Sequence, residues 1–86
     1  SLYRDLLLEY TVQQKAKQNE IFYLIERIAA LCTAIGRFQL AESYLQSGLR
    51  LFPHPAQDVR SYKLKLSLAL VYLRSYHFDK GVKLLQ

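Results

Sequence analysis

Eighty-six residues carrying a net charge of +5, about half of them apolar and with only three Gly and two Pro, allow one small domain at most. Such a chain is too apolar for disorder and too poor in turn residues for a fold of many short strands, which leaves an all-α domain. One cysteine excludes an internal disulfide and a cysteine-based zinc site, and the densest apolar run, LSLALVYL at 66–73, is far shorter than the ~20 residues of a membrane helix.

Residues 1–35 contain no Gly or Pro. Leu2, Tyr3, Leu6, Leu7 and Tyr10 recur at helical spacing, and QQKAKQNE (13–20) follows as a polar stretch of good helix formers. Asn19 has the chemistry of an N-cap, so a break near residues 17–20 is preferred to one continuous helix of ~50 Å. The next helix, EIFYLIERIAALCTAI (20–35), stops at Gly36, where a left-handed residue suits a helix end. A third helix occupies about 38–51 and ends at PHP (53–55). Pro55 suits the first turn of a fourth helix over about 56–76. YHFD (76–79) turns the chain into a fifth. The expectation is thus about five helices: a flanking helix over 1–19, a helix pair over 20–53 and a second pair over 54–86. With no Met, and with apolar helical patterns at both ends, the chain reads as a segment of something longer.

The two pairs match at an offset of forty residues. Ile28 aligns with Leu68, Ala29 with Ala69, Cys32 with Tyr72, Phe38 with Phe78, Ala41 with Gly81 and Leu45 with Leu85. A period of this size is the mark of a helical solenoid. Ala29, Ala41 and Gly48 fall where two antiparallel helices need small residues to approach closely. Gly36, Phe38 and Pro53 mark the turn and the close of the unit. With these residues in place, the chain resembles the tetratricopeptide repeat (TPR) family, over 22–53 well and over 62–86 partly. It departs from that pattern at Ile25 and Lys65, where the family prefers Trp, at Tyr76 in place of the turn Gly, and in a linker six residues longer than the family's period. The resemblance implies antiparallel helix-hairpin repeats and a non-catalytic protein-interaction or scaffold role. The alternative within the same architecture is the TPR-like stack found beside PCI domains of multi-subunit complexes.

Chemistry requires a nucleophile with a base in reach, or a ligand cluster. Cys32 lies in an apolar run, His54 stands between prolines, and His77 and Asp79 share a turn. Asp58 has no partner of catalytic spacing. No phosphate loop and no HxxxH, HExxH or paired-Cys spacing occurs. Neither enzyme activity nor a cofactor is expected.

Binding surfaces are a different matter. Residues 1–49 hold five basic and five acidic side chains, whereas 50–86 hold seven basic against two acidic, so the whole +5 excess sits in the last part. Arg60, Lys63 and Arg74 share one stripe of their helix, the feature on which a rival reading as a nucleic-acid-associated domain rests. Leu66, Leu70 and Leu73 form a second ridge, off the face supplied by Leu64, Leu68 and Val71. In the TPR frame that ridge and Tyr23 face the concave groove, where a partner protein, a peptide or neighbouring repeats of the parent chain would cover them. Lys63 matches one position of the carboxylate clamp of chaperone-binding TPR proteins, but the accompanying Asn residues are missing, which disfavours that role. The lone thiol points to a reducing compartment, cytoplasmic or nuclear.

Overall fold

The computed structural model describes residues 2–75 and 77–86 of the chain. These residues form four helices, α1 (Leu2–Ala34), α2 (Phe38–Leu51), α3 (Val59–Arg74) and α4 (Phe78–Leu85), and no strand. The expected fifth helix is absent because α1 runs unbroken through the 19/20 boundary. Nothing in QQKAKQNE forces an end, and Asn19 does not cap: its side-chain oxygen accepts a hydrogen bond from Arg60 Nη1 at 3.1 Å. At ~1.5 Å per residue, 33 residues span about 50 Å. Helix α1 thus sets the long dimension of a molecule measuring 57 × 27 × 13 Å.

Each helix packs on the next, α1 on α2, α2 on α3 and α3 on α4, and α1 also touches α3. One core joins the first three: Phe22, Ile25, Ala29 and Cys32 of α1, Ala41 and Leu45 of α2, and Leu64, Leu68, Val71 and Tyr72 of α3. Phe52, just past α2, closes its end, with its ring edge-on to Phe22 at 6.2 Å.

The packing depends on small residues where they were expected. Ala29, Ala41 and Gly48 are all buried. A Cβ on Gly48 would fall 2.9 Å from Leu64 Cδ1 and 3.3 Å from Ile25 Cγ2, so this glycine makes room for α3 as well as α1. On α4, a Cβ on Gly81 would meet Leu73 Cγ at 2.8 Å and the Ala69 carbonyl at 3.0 Å.

The two tight turns share one hydrogen-bond pattern. Arg37 N–H donates to Cys32 O at 2.8 Å, and forty residues on His77 N–H donates to Tyr72 O at 2.8 Å. Ala41 to Arg37 and Gly81 to His77 are likewise paired, each at 3.1 Å. In the first turn Gly36 adopts φ +80° and donates to Thr33 O, which completes a Schellman ending of α1. The matching position, Tyr76, lies outside the described residues.

Helix α3 begins three residues later than the sequence suggested. Pro55 sits in a turn whose amides at Gln57 and Asp58 both donate to His54 O. Asp58 is the N-cap, accepting from Arg60 N–H at 3.0 Å. Between α2 and α3, Tyr72 Oη donates to Glu42 Oε1 at 3.0 Å, and Gln46 Nε2 donates to the same oxygen. Burial first, and then the Glu42 carboxylate, push the Tyr72 phenol above its ordinary value.

Replacing Ala41, which is fully buried, by Leu should destabilise the fold by roughly 1–3 kcal/mol through overpacking, read by chemical denaturation. Cys32, at 7% exposure, should react slowly with a thiol reagent in the native state and quickly in denaturant. Fast native labelling would contradict this core.

Candidate functional site

The two sides of a cleft come from α1 and α3, which run in the same direction because each alternates with α2. Glu26, Ala29, Ala30 and Thr33 line it from α1, and Ser67, Leu70, Val71 and Arg74 from α3. Leu45 of α2 is its floor, and its volume is about 190 Å³. Small side chains on the α1 side leave the space open. The Thr33 hydroxyl is turned away onto the Ala29 carbonyl at 2.8 Å.

Tyr23 and Lys63 extend these walls by one turn, by their spacing of three and four residues from Glu26 and Ser67. Both are exposed, and the Tyr23 ring leans on Phe22 at 5.3 Å. The cleft therefore combines an apolar patch at Leu70 and Val71, the cation Arg74 with Lys63 one turn beyond, and, among the described residues, a single carboxylate, Glu26.

The ridge of Leu66, Leu70 and Leu73 is not the continuous exposed strip that the sequence suggested. Only Leu70, at 53% exposure, is open, and it lies in the cleft. Leu73 is half-buried because α4 docks over the last turn of α3, bringing Gly81 against it. Leu66 is half-buried as well.

Arg60 is held in place by several partners rather than standing as one cation of a stripe. Its Nε and Nη2 donate to the two carboxylate oxygens of Asp58 at 3.1 and 3.0 Å, and Nη1 donates to Asn19. Its guanidinium also stacks over the Phe52 ring, 4.4 Å from the centroid. One side chain thus ties the start of α3 to α1 and to the end of α2. No sequence signal marked this staple, since its partners lie 2, 8 and 41 residues away.

The remaining polar candidates do not gather into one site. Cys32 is in the core, whereas His54, His77 and Asp79 are exposed. No group of three or more metal-ligating side chains occurs among the described residues. Among them, too, no helix is long and apolar enough to cross a membrane. Comparison of the chain with family models, curated proteins and solved structures returns no match.

The hydrogen bonds from Arg60 come first among the causes that hold the Asp58 carboxyl below its usual value of 3.8. A lowered folded value means that the stabilisation is present above the unfolded pKa and is lost as pH falls through the folded one. Acid titration below about pH 4 should therefore loosen the start of α3, and Asp58→Asn should flatten that part of the pH–stability curve. An unchanged curve in the variant would show that the staple contributes nothing.

Proposed function

We infer that this chain is a non-catalytic protein-interaction module, built as TPR-like helix-hairpin repeats of a solenoid and working as part of a scaffold inside the cell. What carries the reading is the cleft between α1 and α3, an open depression between parallel helices with an apolar patch and Arg74 on one wall, which Lys63 extends by one turn. The support for the repeat architecture is the recurrence, forty residues apart, of the buried small positions Ala29/Ala69 and Ala41/Gly81 and of the turn hydrogen bonds.

The partner that fits is a peptide segment with one apolar side chain for the Leu70–Val71 patch and an acidic side chain for Lys63 and Arg74. The nucleic-acid reading loses ground because Arg60 is already engaged with Asp58, Asn19 and Phe52. That leaves two cations on the stripe, short of the denser clusters that phosphate binding uses.

A panel of twelve-residue peptides pairing Leu or Phe with Asp or Glu tests this by amide chemical shifts. The expected shifts fall on Ala30, Thr33, Ser67 and Leu70. Leu70→Glu should weaken binding by about tenfold or more, the equivalent of losing one buried leucine contact. Tight binding to an oligonucleotide that collapses between 50 and 200 mM salt, with no peptide response, would overturn the reading in favour of its rival.

A further inference from the structure

Helix α1 carries an apolar stripe that the described residues leave largely uncovered; of its apolar members only Ile28 is half-buried, packed against the core. Residues 2–21 are exposed except for half-buried Gln14, and the stripe continues along the C-terminal half through Ile21, Leu24 and Leu31. Its positions follow the three-and-four heptad spacing of a coiled-coil seam, with the apolar run interrupted at Gln14 and Lys17. Leu7, Gln14, Ile21, Ile28 and, just past the helix, Ile35 take the a positions. Tyr3, Tyr10, Lys17, Leu24 and Leu31 take the d positions. Ile at a with Leu at d, as in the C-terminal half, is the combination that favours two strands, and a polar side chain at an a position, here Gln14, is of the kind that fixes register.

The rest of the fold leaves this seam open except at Ile28, which packs partly against the core. Helices α2 and α3 pack on the face of Phe22, Ile25, Ala29 and Cys32, rotated about 90° from the stripe at 100° per residue. The equivalent face of α3 shows that such a stripe takes a helix. Ser61, Leu64, Leu68 and Val71, forty residues after Ile21, Leu24, Ile28 and Leu31, are buried, with Leu64 against Gly48 of α2. A helix of the 14-residue length of α2 would cover only the C-terminal half of the stripe on α1. Among the described residues, the one helix long enough to cover all of it is α1 itself, with 33 residues.

We propose that α1 is a dimerisation helix, pairing along its full length with α1 of a second copy of the chain. The seven large apolar side chains left exposed on the stripe, Tyr3, Leu7, Tyr10, Ile21, Leu24, Leu31 and Ile35, amount to on the order of 800 Å² per copy, what each partner contributes to a standard stable interface. The contact is two-fold and self-complementary, so it closes at two copies. It sits apart from the α1–α3 cleft, and each copy keeps its cleft free. A dimer would thus present two clefts and gain avidity for a partner with repeated motifs.

Sedimentation of the full 86-residue chain tests this. The expected mass is that of a dimer at micromolar concentration. Tyr10→Glu and Leu24→Glu should each raise the dissociation constant by about tenfold or more, since each dimer then sets two carboxylates in an apolar seam. Cys32 should stay protected in both variants, which reports that the helix hairpin is still folded. Val82→Glu, on exposed α4, should leave the mass unchanged. A monomer at all concentrations up to about 200 µM, well above the Kd of a standard-sized interface, would overturn the proposal. So would association that responds to Leu24→Glu but not to Tyr10→Glu, which is the behaviour of a short helix seated on residues 21–35. Open-ended growth abolished by Val82→Glu would also overturn it, pointing to head-to-tail stacking through α4.

Discussion

Two helices come within close packing distance only where the facing side chains are no larger than a methyl group. In this chain that condition is met at Ala29, Ala41 and Gly48 for the first hairpin and at Ala69 and Gly81 for the second. Around these points the larger side chains interdigitate: Ile25 and Leu64 close over Gly48, and Leu73 closes over Gly81. A glycine inside a helix costs about 1 kcal/mol relative to alanine. Here that cost is offset by a core shared among three helices, which a domain of 86 residues could not otherwise assemble.

Polar groups lock the arrangement that the small residues permit. Arg60 joins α1, the end of α2 and the start of α3 through Asn19, Phe52 and Asp58. The Tyr72–Glu42 hydrogen bond fixes α3 on α2 near the other end. Between the two locks α1 and α3 lie side by side with limited contact, and the cleft is the space that remains. The proposed interaction depends on this spacing. If α1 and α3 closed together, Leu70 would join the core and nothing would remain for a partner to fill.

Much of this was legible along the chain because it depends on local or periodic signals. Gly36 stops α1 with a positive φ, Pro53 follows the end of α2, and the forty-residue offset pairs Ala41 with Gly81 and Cys32 with Tyr72. The length of α1 was misread because an N-cap residue and a polar stretch look the same in an exposed helix as at a helix start. Only the Arg60 contact shows that Asn19 is used otherwise. The ridge at Leu66, Leu70 and Leu73 was misread for a related reason. A helical wheel shows which residues share a face, but not that α4 would cover Leu73 and leave Leu70 open. Likewise the basic stripe was visible as charge, whereas the engagement of Arg60 depends on partners distant in sequence.

The most direct measure of the close-approach constraint is the equilibrium unfolding free energy of Gly81→Ala. Helix propensity alone would make this change stabilising by about 1 kcal/mol. The packing account predicts the opposite sign, because the added methyl meets Leu73 Cγ at 2.8 Å and the backbone oxygen of Ala69 at 3.0 Å. A variant less stable than the parent would place the constraint where the structure has it. A variant more stable by the full propensity gain would mean that α3 and α4 do not approach as described.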